Sequence, residues 1–313
     1  MNKTLIIIQR EYLTRVRKKS FVVMTLLTPL LMAALIGMPV WLSKADDMGT
    51  KEIIVIEQTG KQESVLLETS GEEVANESRL ITGMATAILI YFFILVYGAM
   101  VMRGVVEEKT NRIVEIIISS VRPFELMVGK IAGIALVGLT QFSIWAAIAV
   151  LFACFMEIPA ISAHSLIPVF PAVNAVEIAF FFIIYFLGGY LLYASLFAAI
   201  GAASNSETDT QQFMLPIILP VVFAMLVAVN SASDPNGQLA FWTSLIPFTS
   251  PIVMMIRIPA GDVRAWELIL SVSLLLLSFW VTTWIAAKIY RTGILMYGKK
   301  VTYNEIWKWM RYK

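Results

Sequence analysis

Long stretches without any charged residue are the feature that most restricts how this chain can fold. Six of them recur along the sequence, and each offers the roughly 20 apolar residues that a helix needs to cross a bilayer. Only 15% of the residues are charged, against about 25% in soluble domains. The sequence therefore predicts an all-α polytopic membrane protein with six transmembrane helices, over residues 20–43, 80–102, 131–156, 177–203, 212–233 and 265–287.

A seventh uncharged stretch, residues 235–256, is interrupted by Pro235, Pro247 and Pro251. Proline removes a backbone donor and bends a helix, so a straight spanning helix is disfavoured there. We expect the extracellular segment 234–264 to contain a re-entrant or interfacial element instead.

The basic residues are distributed unevenly between the two sides that six spans define. With the amino terminus inside, 18 of the 24 Lys and Arg residues fall in segments 1–19, 103–130 and 288–313. This asymmetry predicts that both termini and the turn 204–211 are cytoplasmic. We expect the protein to lie in the inner (plasma) membrane. Segments 44–79, 157–176 and 234–264 are then extracellular. No cleavable signal peptide is expected, because the first apolar stretch is too long for one.

The extracellular segment 44–79 carries nine acidic residues and is too short to bury much of a core. We expect a mainly solvated loop with one short strand, Glu52–Ile56. Because the acidic side opposes a basic side, the net charge of +2 gives no indication of nucleic-acid binding.

The amino-terminal segment 1–19 has the pattern of an interfacial helix. Leu5, Ile8, Tyr12 and Val16 recur at helical spacing, and most of the basic side chains lie on other faces. Two roles stay open for it: a basic anchor that orients the first span, or an element that transmits motion.

The cytoplasmic loop 103–130 reads as helix, break and helix. Ser119 and Ser120 interrupt the first part, and Pro123 suits the first turn of a new helix. Exposed isoleucines among charges are typical of a helix that docks in a partner's groove, whereas a solvated charge run would not explain them. The candidate docking residues are Glu107, Glu108, Arg112, Ile113, Glu115, Ile116, Arg122, Pro123 and Glu125.

Two further signals lie near this loop. Glu207 and Asp209 are acidic residues on the basic side, and they predict either a polar turn with a helix cap or a second contact with a cytoplasmic partner. Gly129 and Gly133 form a small-xxx-small pair, which allows another helix to approach closely.

Catalysis in this chain is not expected. The sequence contains no G-x-x-x-x-G-K-[ST] phosphate loop, so ATP hydrolysis would belong to another subunit. Glu107, Glu108 and Arg112 spell E-E-x-x-x-R, which resembles the first motif of intramembrane proteases that process prenylated proteins. Those enzymes also need several histidines, and His164 is the only one here. We therefore predict no metal site, no cofactor and no enzymatic activity in this chain.

Five segments together resemble the permease subunits of type-2 ABC exporters, in particular the NatB-like sodium-efflux branch. They are QREYLTRVRKKSF, EEKTNRIVEIIISSVRPFELMVGKIAG, SETDTQQFMLP, PFTSPIVMMIRIP and YRTGILMYGKK, in the family's order. Members of this branch usually carry a larger external domain between the first two spans. Here only IIVIEQTGK resembles the start of that domain.

The resemblance implies a permease that forms a dimer with itself or a similar permease and binds two ATPase subunits, which carry ATP and magnesium. The loop 107–123 would be the coupling element, and Phe248–Pro259 the re-entrant element. The expected function is export of an ion, for example sodium, or of a small amphiphilic substrate, with the substrate-binding residues unassigned. A membrane scaffold or sensor that docks a cytoplasmic partner, or an E-E-x-x-x-R protease, are the alternatives.

Overall fold

The structure is a computed structural model that describes residues 3–29, 62–112, 117, 120–155, 175–260, 263–296 and 305. Every regular element in these ranges is helical, which confirms the all-α prediction for the described residues. The helices are α1 (Lys3–Val16), α2 (residues 19–29), α3 (Gln62–Thr110), α4 (Pro123–Phe155), α5 (Ala175–Ala203), α6 (Glu207–Ser233), α7 (Gln238–Leu245), α8 (Ser250–Ala260) and α9 (Ala265–Gly293).

Among the described residues, five helical stretches are long and apolar enough to cross a membrane. They correspond in order to the second to sixth predicted spans: Ser78–Thr110, Pro123–Ile148, Val176–Ala203, Thr208–Ser233 and Ala265–Gly293. The chain is therefore a multi-pass membrane protein. Of the first predicted span, residues 20–29 are helical as part of α2, and residues 30–43 lie outside the described ranges.

The segment 44–79, which the sequence predicts as a mainly solvated extracellular loop, is helical in its described part. Helix α3 begins at Gln62, so residues 62–79 are helical, whereas the predicted strand Glu52–Ile56 lies outside the described residues. Glutamate, glutamine, leucine and alanine in this stretch are strong helix formers. Extending an existing helix also avoids the unfavourable nucleation step, so the spanning helix continues beyond the apolar part.

Aromatic rings on α5 fill the centre of the bundle. Phe93 of α3 packs edge-on against Phe186 with ring centroids 5.5 Å apart, and Phe142 of α4 stacks on Phe182 at 4.3 Å. The Tyr190 hydroxyl donates to the Ile131 carbonyl over 2.9 Å, so α5 is joined to α4 by a buried hydrogen bond. These contacts hold α3, α4 and α5 together as one packed group.

The short helices α7 and α8 lie where the sequence predicts a re-entrant element. Helix α8 has 11 residues, a length of roughly 16 Å that is too short to cross the hydrocarbon core. It is buried along nearly its whole length, and a Cβ on Gly83 of α3 would lie 3.0 Å from the Ile256 Cα. Helix α8 therefore packs inside the bundle, directly against α3.

Candidate functional site

One end of the bundle, here called the basic end, contains α1 and the junction between α3 and α4. The end of α5 reaches it too, because the Lys109 ammonium at the end of α3 donates to the Ala202 carbonyl over 2.7 Å. Helix α9 also ends there, since a Cβ on Gly293 would lie 2.9 Å from the Ala202 oxygen. The termini of five helices thus meet around the predicted docking loop.

Helix α1 packs along the first turns of α4, and the predicted glycine pair makes this possible. A Cβ on Gly129 would lie 2.8 Å from Ile7, and one on Gly133 would lie 2.6 Å from the Glu11 Cβ. Both distances are too short for a real side chain, so only glycine permits this approach. The Tyr12 hydroxyl adds a 3.0 Å hydrogen bond to Thr140. Helix α1 is thus packed against protein along one face.

Five charged side chains from three helices meet beneath α1, and we call them the ion cluster. The Lys130 ammonium of α4 lies 3.1 Å from a carboxylate oxygen of Glu11 and 3.1 Å from one of Glu108. Arg10 pairs with Glu108 and, at 2.9 Å, with Glu11. Arg15 pairs with Glu11 one helical turn away. The cluster joins α1 to both α3 and α4 through charges.

Burial makes the ion cluster sensitive to the loss of its buried members. Lys130 is 1% exposed, Glu11 3% and Glu108 7%. A buried charge that loses its partner costs about 3–5 kcal/mol, because it is left desolvated and uncompensated. The cluster therefore fixes how α1, α3 and α4 are placed relative to one another.

The carboxyl group of Glu11 stays ionised over a wide pH range. Burial by itself would raise its pKa, but the Lys130 ammonium and the Arg15 guanidinium outweigh that effect and lower the pKa from 4.5 to about 2. For Arg10, burial would lower the pKa, but the Glu108 and Glu11 carboxylates raise it above its ordinary value. At neutral pH these α1 members of the cluster are charged.

The sequence contains signals for Glu11 and Lys130 of the ion cluster, although the periodicity of its apolar residues does not point to them. Glu11 is the single acidic residue in the basic segment 1–19. Lys130 stands at the boundary of an apolar stretch, where its charge indicates only the orientation of the span. Pairing between them depends on how α1 lies on α4, and sequence spacing says nothing about that.

The structure separates the predicted docking residues into two groups. Adjacent helical positions differ by about 100° around the axis, so Glu107 is exposed whereas Glu108 is buried in the ion cluster. Arg112 and Arg122 are exposed, and Pro123 and Glu125 are half-buried. Ile113, Glu115 and Ile116 lie outside the described residues.

The two helices beside the loop end and begin through local interactions. Beyond Thr110 the backbone turns, and Arg112 adopts a left-handed φ of 56°. Helix α4 begins at Pro123, as expected for a proline in the first turn. The Arg122 amide donates to the Glu125 carboxylate over 3.3 Å, which caps this helix. The Lys3 ammonium donates to the Ser120 carbonyl over 2.6 Å, so α1 also contacts the loop directly.

At the predicted secondary contact, local geometry favours the capping alternative. Helix α6 begins at Glu207, and the Ser206 hydroxyl accepts from the Asp209 amide over 3.2 Å. Acidic residues in a first helical turn are stabilised by the helix dipole. The half-buried Asp209 therefore has a structural role at this position.

The protease alternative requires Glu107 and Glu108 to act together on a metal. Glu108 is instead paired with Lys130 and Arg10, and Glu107 is exposed on another side of α3. His164 lies outside the described residues. Within the described ranges, no group of three or more His, Cys, Asp and Glu residues is placed to hold a metal ion.

A second buried ion pair lies at the opposite end of the bundle, between α8 and α9. The Arg257 guanidinium lies 2.8 Å from a Glu267 carboxylate oxygen and donates to the Pro235 carbonyl over 2.9 Å and the Ser244 hydroxyl over 2.7 Å. Both charged residues are almost fully buried. Glu267 is therefore neutralised by Arg257, whereas Glu177, another acidic residue near this end, is exposed.

Comparison with known proteins identifies the family. Residues 67–288, well over half of the chain, match the family described as ABC-2 family transporter protein. The chain belongs to the ABC-2 transporter family. This confirms the resemblance to ABC transporter permeases at the level of the family, with the NatB-like branch remaining a prediction.

Two curated relatives have similar sequences. Uncharacterized protein YhaP of Bacillus subtilis is 31% identical over 231 residues, which cover 70% of this chain and 52% of the relative. Uncharacterized protein MJ1024 of Methanocaldococcus jannaschii is 30% identical over 220 residues, covering 70% and 51%. The chain thus spans about half the length of the curated relatives that it matches. No solved structure matches it.

Proposed function

We propose that this chain is the membrane-spanning permease subunit of an ATP-driven exporter. Its membership of the ABC-2 family supports a permease that works with a separate ATPase subunit, which binds ATP and magnesium. The basic end is the cytoplasmic end, and both termini lie on that side of the inner membrane. This orientation is supported by the 18 of 24 basic residues in its segments.

The finer architecture in this proposal has six spans, α1 as an interfacial helix and α7–α8 as a re-entrant element. The short, buried α8 supports the last assignment, because its length does not allow a span. The subunit acts as a dimer with itself or a similar permease. Its cargo is an ion such as sodium, as in the NatB-like branch, or a small amphiphilic molecule.

The ion cluster is the observation that carries the coupling hypothesis. The ATPase docks on the exposed residues of the loop, chiefly Glu107 and Arg122. Its movement is passed to the spans because Lys130 and Glu108 bond α1, α3 and α4 into one unit. A loop attached to a single helix could bend without displacing its neighbours, but three helices that share buried charges have to move together.

The test is co-purification of the ATPase with the tagged full chain from its native host in mild detergent. A Glu107→Arg, Arg122→Glu variant reverses two exposed charges of the loop and is expected to lose the ATPase. The matched control, Asp234→Arg with Arg264→Glu, reverses two exposed charges at the opposite end and should retain it. If no ATPase accompanies the wild-type chain even after crosslinking, the exporter hypothesis is wrong.

Transport then separates an exporter from a scaffold. The reconstituted complex should move radioactive sodium or a fluorescent amphiphile across vesicles only when ATP is supplied. Binding of the ATPase without ATP-dependent movement of any cargo would favour a scaffold or sensor.

A further inference from the structure

An open groove of about 410 Å³ runs along the outward face of α4 beside α1. This volume is within the roughly 300–1,000 Å³ of known ligand pockets. Its lining is mostly apolar, and its hydroxyls are occupied: Tyr12 bonds to Thr140, and Ser143 donates to the Leu139 carbonyl. The lining residues are Tyr12, Leu136, Leu139, Thr140, Ser143, Ile144 and Ala147.

Three consecutive basic residues begin five positions after Tyr12, the residue of α1 that lines this groove. Arg17 and Lys18 lie in the turn between α1 and α2, and Lys19 is the first residue of α2; the three are exposed and are here called the basic turn. The chain contacts α4 on both sides of this turn, through Tyr12 to Thr140 and through the Thr25 carbonyl, which accepts from the Trp145 indole over 2.9 Å. Within the described ranges, no carboxylate forms an ion pair with any of the three.

We propose that the basic turn and the groove together bind one anionic phospholipid. The headgroup phosphate pairs with Arg17, Lys18 and Lys19, and one acyl chain occupies the groove on α4. Charge and polarity argue for this occupant, because basic side chains near a membrane surface attract anionic headgroups. The groove offers apolar surface on the outer face of a spanning helix, where Leu136 is 43% exposed.

Lipid binding at this site also affects the packing of α1 against α4. Its headgroup contacts the end of α1 and its chain contacts α4, so a bound lipid favours the packed position of α1. Binding therefore raises the stability of the same helix that the ion cluster holds. This inference depends on the membrane location of the chain and not on the proposed ATPase partner.

The test measures lipid binding to the purified full chain in detergent by native mass spectrometry. Phosphatidylglycerol should bind more tightly than phosphatidylcholine with the same acyl chains. A Lys18→Gln, Lys19→Gln variant should bind phosphatidylglycerol roughly thirtyfold more weakly, from the loss of two charges near the headgroup. The control Arg103→Gln, Arg291→Gln removes two exposed charges from the same end and should bind like the wild type.

A second variant tests the groove without changing charge. Ala147→Phe places a ring at an exposed lining position, so it should weaken binding of phosphatidylglycerol and leave the melting temperature of the lipid-free protein unchanged. Competition by inorganic phosphate at equal concentration would show a free-anion site and overturn the proposal. Equal binding of both lipids, or equal losses in the Lys18 variant and its control, would overturn it as well.

Discussion

Replacing Lys130 with methionine is expected to release α1 from the bundle while keeping the volume of the side chain. Lys130 is almost fully buried and lies 3.1 Å from both Glu11 and Glu108. The substitution leaves Glu11 with Arg10 and Arg15, but it removes the only cation at the second oxygen of Glu108 among the described residues. The buried carboxylates of Glu11 and Glu108 are then compensated by fewer positive charges.

The expected magnitude follows from these distances. At an effective dielectric constant of about 20, two unit charges 3.1 Å apart attract by about 5 kcal/mol before desolvation is counted. Measured losses for breaking a buried pair are about 3–5 kcal/mol. Because about 1.4 kcal/mol is a tenfold change, the population of undocked α1 should rise by about two to four orders of magnitude.

Hydrogen–deuterium exchange in detergent micelles measures this directly, because amides of α1 exchange when the helix undocks. Exchange of residues 3–16 should accelerate in Lys130→Met and remain unchanged in Arg103→Met, an exposed control. The double variant Lys130→Met, Glu108→Met removes both charges and should recover about 2 kcal/mol or more of the loss. Unchanged exchange in Lys130→Met, or a double variant as damaged as the summed single variants, would refute this account.

Three further results are expected. Gly133→Leu should undock α1 at a cost of about 1–3 kcal/mol, because a Cβ there lies 2.6 Å from that of Glu11, while Ala146→Leu on an exposed face of α4 should show no change in exchange. Arg257→Met should lower the melting temperature more than Arg257→Met with Glu267→Met, because the single change leaves a buried carboxylate unpaired; equal losses would contradict this. Since docking lowers the pKa of Glu11 from 4.5 to about 2, its contribution is complete above pH 4.5 and disappears towards pH 2; spin-label distances between α1 and α4 that change between pH 7 and 5 would contradict this.

Hydropathy and proline positions could predict most of the described helices. Uncharged length predicted the five spans, because an apolar helix of about 20 residues satisfies its backbone groups internally and is long enough to cross the bilayer. Pro123 marked the start of α4, since proline fits a first turn. Both signals are local, and each depends on residues within one element.

The contacts between elements could not be predicted in the same way. The pairing of Lys130 with Glu11 joins residues 119 positions apart, and it depends on where the glycine pair allows α1 to approach. Likewise Arg257 counted as an extracellular basic residue, although it pairs with Glu267 in the interior. The charged residues before the second span predict a loop, so the helical extension of α3 to Gln62 does not follow from them.

The separation of Glu107 from Glu108 bears on how the proposed coupling acts. Exposed Glu107 is placed to contact a partner, whereas Glu108 bonds α3 to α1 and α4. If coupling runs through this cluster, Glu108→Met should retain the ATPase in co-purification and reduce ATP-dependent transport, because the partner's contact survives while the helices no longer move together. Loss of the ATPase from Glu108→Met, to the extent seen with the exposed-charge variant, would mean that the buried cluster shapes the docking surface itself. Such a loss would refute a purely transmitting role for the cluster.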